Sequence, residues 1–319
     1  MKTVFIIAVI ACLAMTVAAV DFTNPLVHDE RLITYVNRFA KTWTAGKNAV
    51  FEGKTRADAK RMLGFKRPTP EMRATYPTKP LYAFEAMADL PTNYSSVTQK
   101  DFAACQQLHR IRNQAQCGAC WAFSTTEMIA DRFCIATKTK TNTVLSPQFL
   151  LSCDQSDSDC EGGDFGTALA FVQKEGVVTN NCVPFQAQNG SDLPCPTKCV
   201  DGSDFNLRYK VRKPRQFQQN DIKGMQQSIL NQGPIVAGFD VYDDFFNYKG
   251  GVYVHTAGSY AGGHAVKVVG WGETAAGVPY WIVANSWTVN WGIEGYFWIL
   301  RGENECNFET DVWEAAPAI

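Results

Sequence analysis

The chain has 319 residues, 46% of them hydrophobic and 12% aromatic, so it is long enough to bury a large core. A formal net charge of −1 gives no electrostatic argument for nucleic acid or an anionic membrane surface as partner. Eleven cysteines are many for a cytosolic protein and ordinary for a disulfide-bonded secreted one.

Lys2 precedes an apolar run from Val4 to Val17, and Val17-Ala18-Ala19 supplies small residues before Asp21, which reads as a signal peptide over residues 1–20. The run is shorter than the ~20 residues a membrane span needs. No later stretch is long and charge-free enough to span, so the mature protein is expected to be soluble and to have entered the secretory pathway.

Residues 21–89 contain no cysteine, are punctuated by Pro68, Pro70, Pro77 and Pro80, and carry twelve Lys and Arg against eight Asp and Glu. From Leu90 onward the balance reverses, with seventeen against twenty-three. A basic leader ahead of an acidic, cysteine-rich body reads as a propeptide (21–89) held partly by charge over a mature domain (90–319). Within the leader, Asp29–Ala40 is expected to be a helix with Leu32, Val36 and Phe39 on one face, and Thr55–Leu63 a second short helix.

Nine of the ten cysteines that remain once Cys12 leaves with the signal peptide fall within residues 105–200. There Gln114-Ala-Gln-Cys117-Gly118-Ala119-Cys120-Trp121 leads into a run without Gly or Pro, in which Trp121, Met128, Ile129, Phe133 and Ala136 recur at helical spacing. A C-x-x-C pair is compatible with a redox couple, half a zinc site, or one structural and one catalytic cysteine. A helix starting at Cys120 favours the last reading, because free N–H groups and the helix dipole stabilise the thiolate, the attacking form. Further on, Ser146–Leu151 and Gly166–Lys174 read as helices joined by a polar loop ending in Glu161-Gly162-Gly163. Residues 207–237 shift towards strands, with a helix over Asp221–Asn231 stopped by Gly233-Pro234. Beyond Gly251, strands are expected at Gly251-Val-Tyr-Val, Ala265–Trp271, Tyr280–Ala284 and Tyr296–Leu300. A helical first half and a β-rich second half predict an α+β fold of two lobes with a cleft between them.

A cysteine nucleophile needs a base, and the chain has four histidines. His28 lies in the leader, His109 among polar neighbours, and His255 at the end of a strand-like run. His264 follows Gly262-Gly263 and opens an apolar strand, where small neighbours leave room for substrate. An imidazole in this role also needs an acceptor to orient it. Asn285, in Ala284-Asn285-Ser286-Trp287, supplies one at a strand end, with Trp287 placed to shield the bond from water.

Cys117-Gly-Ala-Cys120-Trp121, with His264 and Asn285 respectively 144 and 165 residues beyond Cys120, resembles the signature of papain- and cathepsin-like enzymes. Cys160-Glu-Gly162-Gly163, Gly262-Gly263-His264-Ala265, Val269-Gly-Trp-Gly and Ala284-Asn-Ser-Trp287 match further family motifs in the same order. Thr42-Trp43-Thr-Ala-Gly46 resembles the short propeptide of cathepsin B, and Leu90-Pro91 its mature N-terminus. The chain therefore resembles a cathepsin B-like peptidase of the papain superfamily along nearly its whole length.

That resemblance implies a two-lobed papain-like fold and a thiol protease made as a zymogen. Cys120 is then the nucleophile, His264 its proton partner, Asn285 the residue orienting His264, and Gln114 a donor to the oxyanion alongside the Cys120 N–H. Gly162, Gly163, Ala265 and Trp287 are implied to meet substrate. Disulfides are implied at Cys105–Cys134, Cys117–Cys160, Cys153–Cys195 and Cys182–Cys199, with Cys306 free. A redox role for Cys117 and Cys120 would then be closed off, and no histidine stands at ligand spacing beside the cysteines, so neither cofactor nor metal is expected. The chain departs from the family between Cys182 and Cys195, where twelve residues, Val183–Pro194, contain no histidine. The loop that in cathepsin B holds a substrate's C-terminal carboxylate is missing its histidine pair, which favours endopeptidase over dipeptide-removing activity. Asp311, five positions after Cys306, is implied to lie at the base of the pocket for the side chain two residues before the scissile bond. Asn93-Tyr-Ser95 and Asn189-Gly-Ser191 match the glycosylation acceptor pattern. The expected partners are peptide and protein substrates and the chain's own propeptide as inhibitor, around a monomer that acts in a lysosome-like acidic compartment or outside the cell. The competing readings are a secreted disulfide-rich peptide binder without catalysis and a thiol oxidoreductase.

Overall fold

A computed structural model describes residues 25–80 and 90–319. The expected signal peptide, residues 1–20, and the residues immediately before Leu90 lie outside the described residues.

The N-terminal segment starts with α1 (Glu30–Phe39), whose first turn is closed by the Asp29 side chain accepting from the Arg31 N–H at 3.0 Å. Leu32, Ile33 and Val36 are buried, whereas Phe39, expected on that face, is 51% exposed at the helix end and packs on Tyr35. β1 (Trp43–Ala45) follows. α2 (Arg56–Lys60) begins at a capping box between Thr55 and Asp58. It is shorter than the expected Thr55–Leu63 helix, because the chain leaves it to enter the cleft. α3 (Pro70–Thr75) starts at Thr69 with Pro70 in the first helical position.

The rest of the chain forms two lobes. β2 (Tyr94–Ser95) precedes a helical region of α4 (Cys120–Ala136), α5 (Pro147–Cys153) and α6 (Phe165–Lys174). β3 (Val211–Gln216) and α7 (Ile222–Gln232) come next, α7 ending at Gly233 with φ of 94°, a conformation that suits glycine. The remaining strands are β4 (Ile235–Tyr242), β5 (Tyr248–Tyr253), β6 (Tyr260–Glu273), β7 (Pro279–Ala284), β8 (Tyr296–Leu300) and β9 (Asp311–Pro317). Their order is β1-β5-β8-β7-β6-β4-β9-β3, with β2 added on β6.

Two large hydrophobic cores result, beside a small cluster of Cys105, Leu108 and Cys134. One, around Phe239, Phe245, Trp281, Trp291 and Phe297, fills the β-rich lobe. The other, around Trp121, Phe149, Leu150, Phe165 and Leu169, fills the helical lobe. The N-terminal segment contributes to both: Trp43, Phe51 and Met62 join the first and Phe65 the second. β1 extends the sheet antiparallel to β5, and the Trp43 indole N–H donates to the Val254 carbonyl at 2.8 Å. Four disulfides, Cys105–Cys134, Cys117–Cys160, Cys153–Cys195 and Cys182–Cys199, tie down the helical lobe, while Cys120 and Cys306 are free thiols. Among the described residues no helix is long and apolar enough to cross a membrane.

Candidate active site

α4 is buried over nearly its whole length, and its first residue, Cys120, faces the junction of the two cores. Gly118 makes that approach possible: a Cβ there would lie 2.2 Å from the Cys160 carbonyl oxygen, which instead accepts the Gly118 N–H at 3.0 Å. On the opposite lobe β6 runs past the end of α4, and the Ala265 N–H lies near enough to the Cys120 sulfur to favour its thiolate. His264, one residue earlier, is thereby brought to the same junction and is fully buried.

His264 Nε2 lies 2.8 Å from Asn285 Oδ1. A carboxamide oxygen only accepts, so the imidazole donates from Nε2, and Nδ1 carries the lone pair. Nδ1 has no hydrogen-bond partner in the structure. Asn285 is held at the end of β7 by its own N–H on the Gly295 carbonyl, and its Oδ1 also accepts the Ser286 N–H. Trp287 lies 4.6 Å from the His264 ring, centroid to centroid, within an aromatic cluster that includes Phe51, Phe245, Phe246 and Trp291. It excludes water from the His264–Asn285 bond.

A peptide already runs through this junction. The Gly64 N–H donates to Cys120 Sγ at 3.3 Å, and Gln114 Nε2 donates to the Met62 carbonyl at 2.8 Å. Gln114 is buried and oriented by Ser286, whose hydroxyl donates to its Oε1 at 2.6 Å. Gly163 exchanges two backbone bonds with the same segment, its N–H on the Gly64 carbonyl and its carbonyl accepting from Lys66, both at 2.9 Å. The pairing of Phe65 with Gly163 is parallel. Gly162 has φ of 109°, and a Cβ there would meet the Gly64 oxygen at 2.5 Å, so glycine is required on both counts. The Phe65 ring packs on Phe165 at 5.0 Å, over Gly238. Asp311, fully buried at the start of β9, pairs with Arg67 and Arg73 of the same segment.

Covered in this way, both reactive groups are held neutral. Burial pushes the Cys120 thiol up to about 11, against the opposing effect of the Ala265 and Gly64 N–H groups. Burial likewise lowers His264 to about 4, with the Asn285 bond working the other way. Among the described residues no cluster of three or more His, Cys, Asp or Glu side chains is arranged to hold a metal ion. Cys117 is bridged to Cys160, which leaves Cys120 no partner for a redox couple.

The structure thus brings Cys120, His264, Asn285, Gln114, Gly162, Gly163, Ala265, Trp287 and Asp311 to one cleft. Asn93 and Asn189 are exposed, Asn189 at the cleft's rim in a pocket it shares with Leu63; the Asn93 side-chain oxygen accepts from the Glu273 N–H. His255 is elsewhere, stacked on Tyr242 and beside Asp244. Sequence reasoning did not identify Met62–Arg67 as the stretch occupying the cleft, nor Asp240, which meets Arg67. The apolar Met62-Leu63-Gly64-Phe65, set among basic residues, is the signal for the first. The alternation of β4 is the signal for the second.

A thiol at a helix N-terminus, facing an imidazole oriented by a carboxamide across a two-lobed cleft, defines a cysteine peptidase. The family model described as papain family cysteine protease matches residues 96–316, and the chain belongs to that family. Cathepsin B-like CP3 of Giardia intestinalis is 36% identical over 92% of this chain and 96% of its own length. Cathepsin B-like cysteine proteinase 5 of Caenorhabditis elegans is 37% identical over 92% and 91%. Among solved structures, procathepsin B S9 from Trypanosoma congolense superposes with a TM-score of 0.83 at 32% identity, covering 92% of this chain and 99% of that one. This chain is a cathepsin B-like cysteine peptidase in the arrangement of a proenzyme.

Proposed function

We propose that the chain is the zymogen of a cysteine endopeptidase acting on peptides and proteins, with a signal peptide at residues 1–20, an inhibitory propeptide at 21–89 and the mature peptidase from Leu90. The observation that carries this reading is the Met62 carbonyl on the Gln114 amide with the Gly64 N–H on the Cys120 sulfur: a peptide backbone already fits these groups. Its parallel pairing with Gly163 turns it opposite to a substrate that pairs antiparallel with the same glycine, so it blocks without being cut.

Once the propeptide leaves, water and substrate reach the cleft and the Cys120 thiol passes its proton to His264 Nδ1. The thiolate attacks the substrate carbonyl carbon, and the electron pair moves to the oxygen, held by Gln114 Nε2 and the Cys120 N–H. As the C–N bond breaks, His264 returns its proton to the leaving amine, and an acyl-enzyme thioester remains. Water, losing a proton to His264, cleaves the thioester and restores the thiol. Asn285 keeps the Nε2–H engaged throughout, so that Nδ1 carries the proton.

Gly162 and Gly163 align the substrate backbone, Ala265 and Trp287 wall the reacting bond, and Asp311 receives the side chain two residues before it. The short loop Val183–Pro194 sits beside the cleft, with the Gln188 carbonyl accepting the Gln116 N–H at 3.0 Å. It contains no histidine to hold a C-terminal carboxylate, which supports endopeptidase activity. Four disulfides support synthesis in the secretory pathway, for use in an acidic compartment or outside the cell. We expect N-glycans at the exposed Asn93 and Asn189. The test compares internally quenched peptides with amidated and free C-termini on the activated enzyme, with Cys120→Ala as control. Amidated peptides are expected to be cut at least as well as free acids, and the control not at all. A strong preference for the free carboxylate overturns the endopeptidase reading, and turnover by Cys120→Ala overturns the mechanism.

A further inference from the structure

Along β4 the residues alternate between two faces: Ile235, Ala237, Phe239 and Val241 belong to the core of the β-rich lobe, and Gly238 and Asp240 lie on the cleft face. The register fixes their neighbours. Gly238 stands opposite Ala265 on β6 and Asp311 on β9, and Asp240 stands opposite Gly263. Asp240 is therefore one pleat, ~7 Å, further out along the same pocket than Asp311. Glycine at 238 keeps the floor open, since a Cβ there would come within 2.1 Å of the Phe65 ring.

The propeptide fills this pocket with a phenyl ring and a guanidinium. Phe65 takes the apolar half against Phe165. Arg67 spans the polar half: Nη1 is on Asp311 Oδ2, and Nη2 donates to Asp240 Oδ1 at 3.0 Å. The second oxygen of Asp240 accepts from Asn307 Nδ2 at 2.6 Å, which fixes the carboxylate's direction. Arg73 takes the other oxygen of Asp311.

We propose that Asp240 is a second specificity-determining carboxylate of the mature enzyme, which together with Asp311 grips the guanidinium of a substrate arginine two residues before the scissile bond. This rests on the peptidase reading and goes beyond it, because one buried Asp is short for the task and accounts for only one side of the bound guanidinium. A planar fork places its two nitrogens on two separate acids, whereas an ammonium is a compact point charge that favours one. Two neighbouring carboxylates repel each other until a cation enters, so the pocket favours arginine most, then apolar rings in the Phe65 position, and lysine least.

The test uses activated enzyme and dipeptide reporters with Arg before the scissile bond and Arg, Lys or Phe at the preceding position. In the parent enzyme, kcat/KM for Arg is expected to exceed that for Lys by about tenfold or more. In Asp240→Asn the ratio of kcat/KM for Arg to that for Phe is expected to fall about tenfold, mainly through KM. A fall of less than threefold overturns the proposal. If Asp240→Asn does not mature, the parent enzyme decides: Arg less than threefold better than Lys overturns the proposal, and a larger preference supports it. Turnover of the Phe reporter tests the peptidase reading, and the ratios test this one.

Discussion

At the scale of single residues, the two reactive groups are ordinary and their surroundings are not. With the thiol near 11 and the imidazole near 4, the pair is neutral throughout mildly acidic and neutral pH. The Gly64 N–H occupies the sulfur, and the Leu63–Phe65 backbone excludes the water that would stabilise charge. Iodoacetamide should therefore alkylate Cys120 in the full-length chain at pH 6.5 at least 100-fold more slowly than in enzyme freed of residues 25–80. Mass spectrometry of the Cys120 peptide reads this, and equal rates would show that the covering segment does not control the thiol. Gln114 makes a separate case. Its amide donates to a carbonyl in the resting chain and is proposed to donate to the oxyanion in turnover. Gln114→Ala should lower kcat by ~10²–10³. A loss confined to KM would show that Gln114 only binds substrate.

Among the elements, the turn that leads into α6 carries an unusual charge load. Asp164 caps the helix by accepting the Gly166 and Thr167 N–H groups, and it follows directly on Gly163. Asp157 accepts from the Asp164 N–H and from the Thr167 hydroxyl, and the Asp154 carboxylate lies close enough to raise its pKa. Burial first, then the Asp154 charge, pushes Asp157 up to about 8, so the pair shares a proton. An unfolded Asp titrates near 3.9. The folded state thus holds a proton that the unfolded state has lost, and the stability this contributes is complete below pH ~4 and is lost as pH rises through about 8. Mature enzyme with Cys120 blocked should melt at a lower temperature at pH 8 than at pH 5, and Asp157→Asn should reduce that difference. An unchanged difference in Asp157→Asn would place the pH dependence elsewhere.

For the molecule as a whole, the charge imbalance visible in composition becomes a set of ion pairs between the N-terminal segment and the body. Arg56 meets Asp243 at 3.3 Å, Arg67 meets Asp240 and Asp311, Arg73 meets Asp311, and Lys79 meets Glu314 at 3.0 Å. Burial opposes ionisation of Glu314, but Arg132 and Lys79 outweigh it and hold the carboxyl below its ordinary value. A depressed carboxyl contributes stability that is present above its ordinary pKa of ~4.3 and is lost as pH falls through the folded value. Acid therefore weakens the hold of the segment from its carboxylate side. Conversion of the full-length protein to the mature form should be about tenfold faster at pH 3.5, below that ordinary value, than at pH 7, followed by gel and N-terminal sequencing. Equal rates would show that these pairs do not limit release.

Several features follow from local order alone. The helical spacing after Cys120 and the β-branched and aromatic runs at Ala265–Trp271 and Tyr296–Leu300 specify their elements because these signals are read over a few neighbouring residues. The histidine could be chosen from four by its glycine neighbours, and the identity of the class came from several motifs standing in one order. The disulfide pairs rested on resemblance, since spacing leaves many pairings open. Other features depend on residues far apart in the chain. Which way Met62–Lys66 crosses the cleft, that Gln114 takes the Met62 carbonyl, and that Asp240 and Asp311 share one guanidinium all depend on strand register and on the packing of two lobes. Asp240 and Asp311 are separated by the whole of β5–β8 and become neighbours only because β4 lies between β6 and β9 in the sheet. No local propensity encodes that adjacency; it exists only after the long-range pairings have closed.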